Sequence, residues 1–260
     1  MARYKRHQKT RLRPTTFERL DGILKTLNPN LPERAKDITV TTIEDFISSG
    51  AETVAPGTVQ KEVAALKHTL KLAVGWKLLQ SNVAQGVKLP KIPEGRTRYL
   101  SPSELKAVFE IAPEWMRIPL ALAAFTGMRR GELLALRWMD VDLANRRLYL
   151  HETKNGSLRV LPLNELTFGL LSLLPRTAPA DAVLAGVDGQ KLSVYTRRLF
   201  QSLGIHEASF HSLRHTAASW LVMAGVDLYA VGQVLGHRTP RMPQRYAHLS
   251  PSYMAGQWGN

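Results

Sequence analysis

The segment Lys88-Leu-Pro-Lys-Ile-Pro-Glu-Gly-Arg-Thr-Arg98 limits what this chain can fold into more than any other feature. Its two prolines block helix continuation, and each pushes the residue before it to extended geometry. No helix or central strand can run through it. It also carries four basic residues, Lys88, Lys91, Arg96 and Arg98. The segment reads as a basic linker between two domains, residues 1–93 and 94–260.

On either side the pattern is helical. Residues 15–90 read as helices, the clearest over about 58–79, where Val59, Val63, Leu66, Leu70, Ala73 and Val74 recur at helical spacing. Thr58 follows Pro56-Gly57 and serves as a candidate N-cap. Lys61, Lys67 and Lys71 lie largely off that stripe, as a solvated face or a polyanion contact. Past the linker, Ser101-Pro-Ser-Glu104 has the order of a helix start: Ser as cap, Pro at the first position, Glu three residues on. Residues 115–138 read as two helices parted near Thr126-Gly127. Residues 147–153 and 157–163 read as strands around Asn155-Gly156, a hairpin signal because both residues tolerate positive φ. That turn puts Lys154 at the hairpin tip. Residues 164–248 read as helical, with breaks at Pro175–Pro179, Gly204, Gly225 and Gly236. The expected fold class is mainly α with a small antiparallel β-hairpin sheet.

The charge is strongly basic. There are 35 Lys and Arg against 21 Asp and Glu, a net of +14. Residues 1–100 hold +9 of it and residues 101–260 hold +5. Charge of this size draws polyanions to a surface. Arg3, Lys5, Arg6, Lys9, Arg11 and Arg13 fall in the first thirteen residues with no acid among them, as a solvated tail or a polyanion arm. Cysteine is absent, so disulfides, thiolate nucleophiles and Cys-ligated zinc are excluded. No run of about 18 apolar residues suits a membrane span, and the amino terminus lacks the apolar core of a signal peptide. Nucleic acid therefore ranks ahead of membrane as partner, with a cytoplasmic setting expected.

Three short segments stand out: Thr126-Gly-Met-Arg129-Arg-Gly-Glu132, His211-Ser-Leu-Arg214-His215, and Leu235-Gly-His237 running on to Arg245-Tyr246-Ala-His. Each alone has an ordinary explanation. Arg129 could serve a helix start, Tyr246 could be a packed aromatic, and His211 and His215 share a helix face that would also suit a metal. An arginine inside that histidine pair repels a cation, so no metal site is assigned. Taken together the segments, with Lys154, offer two arginines, a lysine, histidines and a tyrosine. Phosphodiester transfer needs its transition-state charge neutralised, and the guanidinium fork does this while staying charged. The leaving alkoxide needs a proton, which a lysine can supply. A tyrosine hydroxyl, with a pKa near 10, becomes a nucleophile when cations and a base stand beside it. No carboxylate cluster for paired metals and no Gly-rich phosphate loop accompanies these motifs, so no cofactor is expected.

In order and spacing these segments resemble the boxes of the tyrosine recombinases, or phage integrases, a family that includes the Xer recombinases. Its Thr-Gly-x-Arg-x-x-Glu box matches Thr126, Gly127, Arg129 and Glu132. Its hairpin lysine matches Lys154. Its His-x-x-Arg-His box matches His211, Arg214 and His215. Leu235-Gly236-His237 and Arg245 to His248 match the remaining two. Residues near 37–93 resemble the family's helical core-binding domain. The resemblance implies the DNA breaking–rejoining fold and a 3′-phosphotyrosyl link from Tyr246. It implies catalytic roles for Arg129, Lys154, His211, Arg214, His237 and Tyr246, with His211 ahead of His237 as proton acceptor. Glu132 and His215 would support them. It further implies double-stranded DNA with inverted-repeat sites as partner, four protomers on that DNA, and a bacterial or phage-encoded, nucleoid-associated protein. Lys61, Lys67, Lys71, Arg96 and Arg98 are the candidate DNA contacts of a clamp built from two basic domains. The sequence departs from the family at Pro243, where Thr is common, and in having fourteen residues after Tyr246. An inactive DNA-binding relative and a type IB-like topoisomerase are the alternatives on the same scaffold.

Overall fold

A computed structural model describes residues 1–91, 97–151, 158–236 and 244–251. The chain divides into two compact units, Met1–Gly95 and Arg96–Asn260. The fold is mainly helical with one three-stranded antiparallel sheet, the class expected from the sequence.

The first unit contains helices α1 (Ala2–Lys9), α2 (Pro14–Leu27), α3 (Val40–Thr53) and α4 (Pro56–Gly75). Leu24, Leu27, Ile43, Phe46, Val59, Val63, Leu66 and Leu70 form its core. Helix α4 begins two residues before the expected Thr58. Ala55 caps it in an extended conformation and Pro56 takes the first position, where its missing N–H costs nothing. The basic amino terminus is not a solvated tail. It forms α1, which buries Tyr4 and sets the Tyr4 hydroxyl 2.8 Å from Nδ1 of His68. Arg3 lies over the Trp76 ring at 4.6 Å. Of the three α4 lysines, Lys61 and Lys71 are exposed. Lys67 is half-buried and donates to the carbonyl of Val87 at 2.9 Å, so its ammonium fastens the chain that follows α4.

The second unit opens with α5 (Pro102–Ile111), started by the expected capping box. Ser101 Oγ accepts from the Glu104 N–H at 3.1 Å, and Glu104 accepts from the Ser101 N–H at 2.8 Å. Arg98 is drawn into this cap. It donates to Glu104 at 3.2 Å and to the His206 carbonyl at 3.3 Å. A phosphate contact by Arg98 would therefore compete with this ion pair. Helices α6 (Glu114–Thr126) and α7 (Arg130–Ala135) follow, then strands β1 (Val141–Asp142), β2 (Arg147–His151) and β3 (Leu158–Pro162). Helices α8 (Glu165–Ser172), α9 (Gly189–Ser202), α10 (Phe210–Met223) and α11 (Leu228–Leu235) complete the described helices. Helices α6 and α10 pack together at the centre. Leu120 of α6 and Leu213 of α10 are fully buried there, each worth about 1.5–3 kcal/mol of burial.

The sheet has the order β1-β2-β3, with Leu148 opposite Leu161 and Leu150 opposite Arg159. The Asn155-Gly156 turn and Lys154 fall between β2 and β3, outside the described residues. Strand β3 turns Arg159 and Leu161 inward and Leu158 and Val160 outward.

Candidate active site

Helix α6 ends at Gly127, which adopts φ +65°. A left-handed residue here is the usual way to stop a helix, and glycine takes it without strain. Space demands glycine as well: a Cβ would sit 2.4 Å from Cδ2 of Leu235. The turn delivers Arg129 to the N-cap of α7, and Glu132 at the third helical position accepts the Arg129 backbone N–H at 2.8 Å. The Arg129 guanidinium donates to Glu132 at 2.6 Å and to the Gly236 carbonyl at 2.9 Å.

Helix α10 supplies the second group. His211, Arg214 and His215 stand at i, i+3 and i+4, so one face presents all three. Arg214 is 4% exposed. It donates to the Gly127 carbonyl at 2.6 Å and also to the Leu235 carbonyl. Both arginines therefore dock on the end of α11. The last carbonyls of a helix lack intrahelical donors and carry the negative end of its dipole, so two guanidinium groups satisfy them. Gly236, at φ +63°, closes α11 and exposes its own carbonyl to Arg129.

Tyr246 is 1% exposed and packs against Ala218, Val222, Val231 and Leu235. Its hydroxyl lies 2.6 Å from Nδ1 of His215. Burial raises the phenol pKa above its ordinary value, against the pull of Arg245 and Arg214. The O–H thus keeps its proton at neutral pH and shares a hydrogen bond with the ring nitrogen. The family resemblance makes His211 the expected proton acceptor from Tyr246, yet it is His215 that lies at this hydroxyl. The two rings are one helical turn apart and meet edge to face at 4.8 Å. Tyr246 leads into the 3-10 turn Ala247–Leu249, which packs on α10.

The charges act on one another. Burial, then Arg214, Arg129 and Arg245, push the His211 pKa below the ordinary histidine value, which favours a neutral ring. Burial and Arg129 bring Arg214 down to about 10, so it stays charged at neutral pH. Burial raises the Glu132 pKa, but Arg159 and Arg129 together outweigh it and hold the carboxyl below its ordinary value. A cleft of about 460 Å³ opens beside this group, lined in part by Met128, Arg130, Arg197, Ser209 and His211.

The structure thus brings together Arg129, Glu132, His211, Arg214, His215 and Tyr246. Lys154, His237 and Arg96 lie outside the described residues, as does Pro243. Lys61, Lys67 and Lys71 sit on α4 of the first unit. Arg159, which the sequence reading passed over, joins the group through Glu132 at 2.7 Å. Both alternating faces of this strand carry apolar residues, so no local signal marked Arg159. Among the described residues, no three His, Cys, Asp or Glu side chains cluster closely enough to hold a metal ion. No described helix is long and apolar enough to cross a membrane.

The sequence pattern of the phage integrase family matches residues 98–252, which take in Arg129, Glu132, Lys154, Arg159, His211, Arg214, His215, His237 and Tyr246. The chain belongs to the phage integrase family. Among curated relatives of this family member, the shufflon-specific DNA recombinase of Escherichia coli is 33% identical over 201 residues. That match covers 75% of this chain and 52% of the relative. Tyrosine recombinase XerC of Roseiflexus sp. (strain RS-1) is 31% identical over 218 residues, covering 75% of this chain and 69% of that one. In fold, the family member is similar to lambda integrase as seen in a tetramer bound to a Holliday junction. The TM-score is 0.79 at 20% identity, covering 92% of this chain and 76% of that one. The chain therefore spans between half and about two thirds of the length of these two curated relatives.

Proposed function

We propose that this chain is a site-specific DNA recombinase that cleaves and rejoins DNA through a 3′-phosphotyrosyl intermediate, with neither metal nor nucleotide. The observation that carries the reading is the Tyr246 hydroxyl held 2.6 Å from His215, with the Arg214 charge acting on the same phenol.

The Tyr246 oxygen attacks the scissile phosphorus and its proton passes to His215. Arg129 and Arg214 neutralise the charge that grows on the non-bridging oxygens. His211, neutral under its cationic neighbours, hydrogen-bonds the phosphate together with His237. The bond from phosphorus to the 5′ oxygen breaks, and Lys154 gives that oxygen a proton. Rejoining runs the same steps backward with a new 5′-hydroxyl as nucleophile.

The partner is double-stranded DNA carrying inverted-repeat sites. The net charge of +14 and the exposed Lys61 and Lys71 of the first unit support this. The unit Met1–Gly95 acts as the core-binding domain and Arg96–Asn260 as the catalytic one. Four protomers assemble on DNA, as strand exchange between two duplexes requires; the tetramer described for lambda integrase supports that number. Relatives from bacteria and phage support action on DNA in the bacterial cytoplasm.

The test uses the DNA flanking the coding region, searched for inverted repeats around a short spacer. A duplex of that sequence, nicked beside the cleavage position, should trap a detergent-stable covalent complex with the wild-type chain and none with Tyr246→Phe. Trapping by Tyr246→Phe overturns the nucleophile. Relaxation of supercoils without exchange between two sites overturns recombination in favour of a topoisomerase.

A further inference from the structure

Arg159 occupies a place where the fold alone would favour an apolar side chain. It lies on the inward face of β3, opposite the buried Leu150 and two positions from the buried Leu161, and it is 8% exposed. Its Nη2 donates to Glu132 at 2.7 Å, while Nε and Nη1 are buried with no hydrogen-bond partner among the described residues. Orphaned donors on a buried charge are costly. Replacing a buried ion pair with packed apolar groups is often neutral or stabilising. An arginine retained at such a cost points to a task other than packing.

The task is visible in what Glu132 does. Its carboxylate accepts from the Arg129 backbone N–H, from the Arg129 guanidinium and from Arg159. Arg129 is partly exposed, with its side chain at 41%, and can swing toward solvent. Arg159, anchored on a strand, cannot. Building on the proposed recombinase function, we propose that Arg159 is a positioning residue for strand cleavage: it fixes the Glu132 carboxylate, which in turn aims the Arg129 guanidinium at the scissile phosphate.

A second effect follows from the same geometry. Among the described residues, three guanidinium groups, those of Arg129, Arg159 and Arg214, gather around the one Glu132 carboxylate. Arg159 and Arg129 both act electrostatically on Arg214. Arg159, together with Arg129, also opposes the tendency of burial to protonate Glu132. The groups facing Glu132 are Arg159 on β3, Arg129 at the start of α7 and Arg214 on α10.

The experiment measures single-turnover covalent-complex formation on the nicked duplex across pH for wild type, Arg159→Met, Arg159→Lys, Glu132→Gln and the Arg159→Met/Glu132→Gln double variant. Misplacing a catalytic group by about 1 Å can cost on the order of 10²-fold in rate. A slowing approaching that size is expected for Arg159→Met at saturating DNA. The loss should deepen as pH falls, because Glu132 then takes up a proton more readily. Arg159→Lys, which keeps the charge, should recover most of the rate and the wild-type pH profile, and it carries the test if the methionine variant does not fold. The double variant should be no slower than Glu132→Gln alone. Wild-type rate and pH profile in Arg159→Met overturn the inference, as does an Arg159→Lys variant as slow and as acid-sensitive as Arg159→Met. Losses that multiply in the double variant overturn it too. Failure of the wild-type chain to trap DNA overturns the recombinase reading itself, and the inference with it.

Discussion

The guanidinium of Arg214 donates to the carbonyl of Gly127 at 2.6 Å, across 87 positions of sequence. This bond staples two of the three motif segments together in the interior of the second unit. The other bond of Arg214, to Leu235, brings in the third. A charge buried this deeply is tolerated only with partners for its donors, and backbone carbonyls fill that need without neutralising it. The positive charge is therefore not cancelled by these bonds, as the proposed role at a phosphate requires.

Gly127→Ala should loosen that staple. A side chain at φ +65° costs about 1–2 kcal/mol. The new Cβ would also meet Leu235 Cδ2 at 2.4 Å, and overpacking of this kind costs about 1–3 kcal/mol. The thermal unfolding midpoint should fall by several degrees and cleavage should weaken with it. Gly131→Ala is the control, because nothing lies within 4 Å of its Cβ; equal midpoints for the two variants would refute the argument.

What the sequence disclosed and what it hid separate by distance along the chain. The capping box at Ser101 and the helix stop at Gly127 depend on residues within a turn of each other, and both were legible. The motif spacing marked Arg129, Arg214 and Tyr246 as one group. Which histidine meets the tyrosine depends on how the 3-10 turn after Tyr246 packs on α10, and spacing does not encode that. Arg159 was hidden for a different reason: both faces of β3 carry apolar residues, and the carboxylate that meets Arg159 lies 27 positions away. Lys67 and Arg98 show the converse. Each read as a free cation, yet each is spent on a structural acceptor that only the fold brings near.

Stability should fall on acidification through the histidine range. The folded His211 pKa lies below its ordinary value because of burial and the arginines around it. A depressed folded pKa gives stability that is complete above the unfolded value, about 6.5, and is lost as pH falls through the folded one. Glu132 follows the same sign in a lower window, below the ordinary carboxylate value of about 4.3. Thermal midpoints from pH 8 down to about pH 2 measure both, the carboxylate window lying below its ordinary value. His211→Gln should flatten the upper part of the curve and leave the lower part; an unchanged upper part would remove His211 as its cause.

His215 should matter more than His211 for activating the tyrosine. A positioned general base contributes about 10²–10⁴-fold, and the hydroxyl sits 2.6 Å from His215. Single-turnover cleavage by His215→Phe should fall within that range, with a steeper dependence on high pH as hydroxide replaces the missing base. His211→Gln keeps a hydrogen-bonding group for the phosphate and should lose less. The reverse order of losses would return the base role to His211.

Lys154 and Arg214 should separate by the chemistry of the leaving group. The arginine stabilises charge on the non-bridging phosphate oxygens, whichever atom departs. The lysine is needed only if the departing atom requires a proton. A 5′ oxygen does, because an alkoxide is a poor leaving group at neutral pH. A 5′ sulfur does not, because a thiol has a pKa near 8.5 and departs as thiolate. On an ordinary phosphodiester, Lys154→Ala and Arg214→Ala should both slow cleavage, by about 10²–10³-fold for loss of the charge-stabilising arginine. On a duplex with a 5′-bridging phosphorothiolate, Lys154→Ala should recover to near the wild-type rate while Arg214→Ala stays slow. Covalent-complex formation measured on both duplexes gives the four rates needed. If the sulfur substrate leaves both variants slow, Lys154 is not the proton donor. If it rescues both, the arginine's part in stabilising the transition state is wrong as well.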